Sequence, residues 1–238
     1  MWVRRVVALA LAAGVVAAAY MLWLRDSSLV AVREVSVTGV SSADSREVRA
    51  ALTKAARRMT TLHVRDDELR AAAAAFPTVE SVSADPRFPN GLSIEVRERE
   101  PVGVLEANGR DLPVAADGTL LPGISTASLD LPAIEAARVD PSAKRASDDA
   151  LDQARVLGAV PDPLRPLVGS ASIDDRGVLV ELSDGIVLVF GDGNEAAPKW
   201  AAAARILADH ELGGLSYIDL RAPDRPAVGG ASAPAGAL

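Results

Sequence analysis

Val30-Ala31-Val32-Arg33-Glu34-Val35-Ser36-Val37-Thr38-Gly39 opens a stretch that runs on to Leu105, and the rest of the chain is arranged around it. Val32 to Thr38 is strand-like and closes at Gly39. Asp44, with Glu47 three residues on, has the capping-box arrangement that satisfies free N–H groups at a helix start. Val48, Ala51, Leu52 and Ala55 then share one helical face. A second helix is expected from Asp66, where Asp67 and Glu68 meet the positive end of its dipole. Leu69, Ala72, Ala73 and Phe76 repeat the spacing until Pro77 stops it. Two strands follow, Val79 to Ala84 and Leu92 to Arg97, joined by a turn ending in Asn90-Gly91. In the second, Leu92, Ile94 and Val96 point one way and Ser93, Glu95 and Arg97 the other. The predicted order is β-α-α-β-β, an α+β unit whose small sheet is covered on one face by two helices.

That order, ending in Glu95-Val96-Arg97-Glu98-Arg99-Glu100-Pro101-Val102, resembles the POTRA domain of the bacterial FtsQ/DivIB division family. The family's ending is a strand followed by Glu-Arg-x-Pro-Val, and Glu98, Arg99, Pro101 and Val102 match it.

A length of 238 residues allows one or two domains with their own cores. The chain is 49% hydrophobic but only 3% aromatic, so aliphatic side chains must fill those cores. A net charge of −7, or −9 once the two cations Arg4 and Arg5 are set aside, argues against nucleic acid, because phosphate binding needs a basic face. The absence of cysteine removes disulfides, thiolate metal sites and thiol nucleophiles together.

Upstream, Val6 to Leu24 is a run of 19 residues without a charge. As a helix it spans about 28 Å, close to the hydrocarbon thickness of a bilayer. Arg4 and Arg5 precede it, which places the amino terminus in the cytoplasm and the remainder outside. Trp2 suits the inner interface, and Tyr20 and Trp23 the outer one. The rival reading is a signal peptide cleaved near Ala17-Ala18-Ala19. Length and the aromatic residues favour a retained anchor, and either reading exports the rest of the chain. Ala10, Gly14 and Ala18 form a small-residue stripe able to pack against another membrane helix, though an Ala-rich run produces such a stripe readily. The expected divisions are a cytoplasmic stub 1–5, a membrane helix 6–24, the POTRA-like unit 25–100, a β domain 101–229 and a disordered tail 230–238.

Downstream, Pro101 marks the boundary. Val102 to Leu105 and Leu112 to Leu121 read as strands, the second carrying a turn at Ala116-Asp117-Gly118-Thr119. Pro122 to Arg145 reads as irregular connection with at most one short strand. Ser147 caps a helix that starts with Asp148 and Asp149, includes Leu151 and Ala154, and ends before Pro161. Val178 to Leu182 and Ile186 to Phe190 form a hairpin around Asp184-Gly185, a two-residue turn signal. A helix is expected from Pro198 as its first residue, with Trp200, Ala203, Ala204 and Leu207 on one face. Leu215 to Arg221 and Ala227-Val228-Gly229 close the fold as strands on either side of Pro223-Asp224-Arg225.

Here the likeness extends to nearly the whole chain. Ser216-Tyr217-Ile218-Asp219-Leu220-Arg221 resembles the Tyr-x-Asp-Leu-Arg strand of the FtsQ β domain, and Ala227-Val228-Gly229 resembles the strand after it. Asp117-Gly118, Leu131-Pro132 and Lys199 match further family positions. Two departures stand out. Five residues precede the apolar run where the family has tens, and Ala222 and Gly230 stand where many members carry aromatics. The resemblance implies a non-catalytic scaffold of the division machinery at the septum. Its partners would be FtsB-like and FtsL-like small coiled-coil membrane proteins, held by the last strands, and through them the enzymes of septal peptidoglycan synthesis. It also implies a recruitment role for the second POTRA strand, here Val79, Ser81, Val82 and Ala84.

The physical basis expected for that contact is an open sheet edge. Sequential antiparallel strands leave the last one with an unpaired row of N–H and C=O groups, which an extended segment of another chain can join. Ala227, Val228 and Gly229 form that edge, with Tyr217, Asp219 and Arg221 beside it and Pro226 limiting pairing at its start. The plainer reading of Asp219 and Arg221 is that they hold the hairpin together.

Other chemistry finds little support. Gly191-Asp192-Gly193-Asn194-Glu195-Ala196, with Asp209 and Glu211 beyond, fits a dinucleotide fingerprint in form. That fingerprint needs a parallel βαβ unit, whereas Asp184-Gly185 makes its strand the return arm of an antiparallel hairpin. His63 and His210 lack a metal or nucleophile partner motif, and no cofactor is expected. Asp66-Asp67-Glu68 and Asp174-Asp175 read as solvated helix starts and turns, and Glu95 to Glu100 as the solvent side of a strand. The alternative function is an exported soluble enzyme or ligand-binding protein, mature from near Tyr20. A POTRA module of outer-membrane assembly would require many more alternating segments for a barrel.

Overall fold

Strict alternation in Gly91–Glu98 builds the amino-terminal sheet. Leu92, Ile94 and Val96 are buried and the residues between them face outward, as expected of a strand with one covered face. The computed structural model describes residues 25–107, 109–127, 129–136, 139–140, 143–209 and 214–230, together with Trp2, Arg5, Val6, Val7, Leu9, Leu11 and Gly14. It divides after Arg99 into two compact units.

The first unit has the β-α-α-β-β order: β1 (Glu34–Thr38), α1 (Ser45–Ala56), α2 (Asp66–Ala73), β2 (Val79–Arg87) and β3 (Gly91–Glu98). The sheet order is β1-β3-β2, with β1 parallel and β2 antiparallel to β3. A parallel neighbour needs a crossover, and the two helices provide it. Val48, Leu52 and Ala56 of α1 and Leu69 and Ala73 of α2 bury their stripe in one core with Leu92, Ile94 and Val96. Gly39 leaves β1 at φ 81°, and a Cβ there would lie 2.0 Å from the Val96 carbonyl oxygen, so only glycine fits.

Two local expectations change. Asp44 stands at the α1 N-cap without capping it, because its carboxylate accepts instead from Thr78 Oγ1 at 3.0 and 3.2 Å. The β2–β3 turn is Phe88-Pro89-Asn90 and ends one residue before Gly91, which already pairs with Arg87. The Asn90 side chain is drawn away to the carbonyls of Leu29 and Ala31.

The second unit contains β4 (Pro101–Ala107), β5 (Arg110–Ala115), β6 (Ala133–Ile134), α3 (Asp148–Gly158), a 3-10 segment (Asp162–Leu167), β7 (Val168–Asp174), β8 (Gly177–Leu182), β9 (Val187–Gly191), α4 (Ala196–Leu207), β10 (Leu215–Asp219) and β11 (Ala227–Gly230). Among the described residues they form one sheet in the order β11-β10-β9-β8-β7-β6-β4-β5. Its core joins Ala154 and Leu157 of α3 and Trp200 and Ala203 of α4 to Val178, Val180, Leu188, Phe190, Ile218 and Leu220. Ser147 caps α3 as expected, accepting from the Ala150 amide.

The sheet is mixed, not a run of sequential antiparallel strands: β4–β6, β6–β7 and β9–β10 are parallel. β7 has no counterpart in the sequence reading, because only Ala171 of Val168–Asp174 is buried and its pattern is weak. Pro198 is the third residue of α4, not the first. The β8–β9 turn has three residues, Ser183, Asp184 and Gly185, with the Leu182 amide bonded to the Ile186 carbonyl at 2.9 Å. β5 stops at Ala115, and Leu120 rejoins it only as an isolated bridge to Val114. β11 extends one residue further than expected, to Gly230.

Most of the apolar run 6–24, including Ala10 and Ala18 of its stripe, lies outside the described residues, as do His210, Glu211 and 231–238. Among the described residues no helix is long and apolar enough to cross a membrane.

Candidate functional site

Alternation divides the Ser216–Arg221 run between two faces. Ile218 and Leu220 are fully buried in the core, whereas Tyr217 and Asp219 are half-buried on the other face and Arg221 is exposed. β10 is paired on both sides, to β9 and to β11, so its own backbone has no free row. β11 ends the sheet order, and among the described residues no strand pairs with its outer side. Val228 there is 40% exposed. Of the residues expected at the contact, Ala227, Val228 and Gly229 therefore supply open backbone, and Tyr217, Asp219 and Arg221 flank it. Ile218 and Leu220 serve the core.

The flanking side chains are held in place. A Cβ on Gly229 would lie 2.1 Å from Tyr217 Cε1, so the ring lies across the edge strand where a side chain is missing. Arg221 turns back on Asp219, with Nη2 donating to Oδ2 at 2.7 Å and Nε within 3.1 Å of both oxygens. Its stem crosses Gly191, where a Cβ would be 3.0 Å from Arg221 Cγ. A second pair, Arg176 Nη2 to Asp174 Oδ2 at 2.8 Å, spans the β7–β8 turn.

Burial works against ionisation of Asp219, but the Arg221 guanidinium and amide, helped by the charges of Arg221 and Arg176, outweigh it and hold its pKa below the usual value. The bond to Asp219 raises Arg221 in return. The bond from Arg176 lowers Asp174 against a small opposing effect of burial. Near neutral pH the Asp219–Arg221 pair is thus ionised next to β11, while the Asp174–Arg176 pair lies further along the sheet at the β7–β8 turn. Among the described residues no group of three or more His, Asp or Glu side chains could hold a metal ion.

The glycine loop before α4 needs a different account from the one its sequence suggests. β9, α4 and β10 do form a parallel crossover, so an antiparallel setting is no ground for excluding a dinucleotide. The loop's own contents exclude it. Lys199 is only 4% exposed, and its Nζ donates to Asp192 Oδ1 at 2.8 Å and to the Asp192 carbonyl at 3.2 Å. Those bonds, with one from Asn194, keep Asp192 ionised below the usual range. Gly193 faces Asp152, whose Oδ1 would be 2.8 Å from a Cβ. A diphosphate would meet two carboxylates there, with the nearby lysine already engaged.

In the first unit β2 is also an outer strand. Val79 is buried at its start, Ser81 is exposed, and Val82 and Ala84 are half-buried. The Glu98-Arg99 pair proves to be more than a solvated run. Glu98 accepts from the Ser41 and Ser42 amides at 3.0 Å each and from Ser41 Oγ at 2.6 Å. Arg99 Nη1 donates to the Pro77 carbonyl at 2.7 Å and also to that of Val79. The pair ties the end of β3 to the loop before α1 and to the start of β2. Gln153 was invisible in the sequence, yet it is fully buried and holds Glu135 next to β6: its Nε2 donates to the carbonyl at 2.7 Å and its Oε1 accepts from the amide at 3.2 Å.

Residues 30–99 match the POTRA domain, FtsQ-type, and residues 103–221 match the Cell division protein FtsQ/DivIB, C-terminal family. Among curated proteins, the Cell division protein FtsQ of Streptomyces venezuelae is 29% identical over 217 residues, covering 88% of this chain and 78% of that one. The protein of the same name from Streptomyces coelicolor is 27% identical over 142 residues, covering 56% and 53%. That of Zymomonas mobilis is 28% identical over 167 residues, covering 68% and 49%.

Proposed function

The chain belongs to the FtsQ/DivIB family of bacterial cell division proteins, non-enzymatic components of the divisome, and from that premise we propose that it is a membrane-tethered adhesive scaffold. Its 6–24 run is the single anchor, with the amino terminus in the cytoplasm and both units outside, at the division septum. β11 accepts an extended segment of an FtsB-like coiled-coil membrane protein, and an FtsL-like protein follows through it. Septal peptidoglycan synthesis is thereby recruited and regulated. β2 serves as a second edge for recruitment.

The observation that carries this reading is β11 itself, a strand paired on one side and flanked by the Tyr217 ring and the Asp219–Arg221 pair. Backbone pairing supplies affinity, and the flanking groups select among partners. Successive N–H groups of a strand point to opposite sides, so one of Ala227→Pro and Val228→Pro removes an outward donor, and neither adds a Cβ against the Tyr217 ring as a change at Gly229 would. Full-length protein is drawn from membranes and its companions are identified. One of the two variants should lose the small coiled-coil partners while keeping its circular dichroism. Equal capture by both variants and the parent would remove β11 as the contact.

A further inference from the structure

Three segments of the first unit converge at the point where the chain leaves its apolar run. The Thr60 hydroxyl donates to the Arg25 carbonyl at 2.5 Å, directly after Leu24. The Thr61 amide donates to the Val30 carbonyl at 2.8 Å, and its hydroxyl to the Pro89 carbonyl at 2.8 Å. Asn90 Nδ2 reaches the carbonyls of Leu29 and Ala31 at 3.0 and 2.8 Å. The loop after α1, the β2–β3 turn and residues 25–31 therefore share one pole, and no slack separates that pole from the apolar run.

That pole combines two features rare in this molecule. Phe88, at the turn, is 73% exposed and Leu29, on the backbone that Asn90 grips, is 63% exposed. Single exposed apolar side chains are ordinary, but Asn90, two residues after Phe88, bonds the Leu29 carbonyl, so these two belong to one apolar spot. Cations accompany it. Ser45 to Arg58 holds five basic residues and one acidic residue in a chain of net charge −7, and Lys54, Arg57 and Arg58 are exposed at its end. A depression of about 410 Å³ runs along this helix, lined by Lys54, Arg57 and Thr53 among others, and by Arg49, whose Nη2 donates to the Val40 carbonyl at 2.8 Å. Of the nearby acids, Asp26 is paired with His63 and Glu68 with Arg65, each at 3.1 Å, while Glu34, Asp66 and Asp67 are exposed and offset part of the positive charge. Apolar side chains among basic ones fit the boundary between lipid headgroups and acyl chains.

We propose that this pole docks on a bilayer surface bearing anionic phospholipid headgroups, with Phe88 and Leu29 entering the interface and Lys54, Arg57 and Arg58 meeting the phosphates. The proposal rests on the reading of 6–24 as a retained anchor, which confines the pole to the membrane surface and raises its effective concentration there. Docked, the unit holds its β2 edge at a set height above the lipid.

The chain has no cysteine, so the full-length protein carrying Arg87→Cys takes one environment-sensitive fluorophore beside Phe88. It is reconstituted into vesicles of neutral phosphatidylcholine and into vesicles with about one third phosphatidylglycerol. Flotation with neutral vesicles reads the anchor, and the label's emission reads docking. On anionic vesicles the emission should shift to the blue, and about 0.5 M salt should reverse the shift without any further substitution. Reversing charge at Lys54→Glu, Arg57→Glu and Arg58→Glu together should lower the docked fraction about tenfold or more. A label that stays aqueous on anionic vesicles, in a chain that floats, overturns docking, keeps the anchor and leaves the surface to a protein partner. Emission equal on both lipids, or indifferent to salt, also overturns it. A chain that fails to float with neutral vesicles while its label still responds to anionic ones keeps docking and removes the anchor.

Discussion

Glu98 shows how much one side chain contributes through partners distant in sequence. Burial disfavours its charge, yet the bonds from the side chains and amides of Ser41 and Ser42 outweigh that and hold its pKa below 4.5. A carboxylate lowered on folding adds stability that is complete above its unfolded pKa and is lost as pH falls through the folded one. Glu98→Gln should therefore cost about 0.5–1 kcal/mol at neutral pH, because charge-assisted bonds, screened here by solvent, become weak neutral ones. The deficit should shrink as pH falls below the unfolded value of 4.5 and through the lower folded one, where the parent loses the same charge. Amide exchange in Glu34–Thr38 and Gly91–Glu98 measures it, and a deficit unchanged by acid would contradict the account. The Glu98-Arg99 signature was legible as a string of letters, but its task was not. The Ser41 contact spans 57 positions, and no local pattern encodes it. Lys199 and Gln153 are similar, since burial of a polar group is readable only once its acceptor is in place.

At the level of elements, α4 is held by a single large residue. Trp200 is fully buried, stands 5.0 Å from the Phe190 ring at a tilt of 51°, and donates from Nε1 to the Val156 carbonyl of α3 at 2.8 Å. Trp200→Ala should cost about 3–5 kcal/mol of the second unit's stability by leaving a cavity, while the Val156 carbonyl keeps its bond from the Ala159 amide. The two cores share no residue, so amide exchange in β1, β2 and β3 should not change. Acceleration there too would show that the units unfold together. Elements with a strong period were visible beforehand: α1, α2, α3, β3, β8 and β9. β7 was not, because Val168–Asp174 alternates small and polar residues, and it becomes a strand only through β6 and β8 on either side. Likewise the pairing of β9 with β10 depends on α4 crossing between them, which a hairpin signal at Asp184-Gly185 cannot reveal.

For the molecule as a whole, the decisive question is whether the apolar run stays attached. Retention predicts that the protein resists alkaline extraction from membranes and keeps the residues before Ala17. Cleavage predicts a soluble protein beginning near Tyr20, and terminal sequencing of the extracted material distinguishes the two. Composition and local periodicity alone determined the export of the chain as an expectation, the α+β class and the β-α-α-β-β order, because hydropathy, helix and strand periods and turn residues all act over short distances. The family was implied only by the resemblance at Glu98-Arg99 and at Tyr217 to Arg221. Tertiary structure alone decided the sheet order, the parallel pairs, the burial of Ile218 and Leu220 beneath an exposed Asp219–Arg221 pair, and the outermost place of β11. Those features depend on which distant strands share hydrogen bonds, and backbone amides are the same in every residue but proline, so pairing leaves almost no mark on the order of the letters.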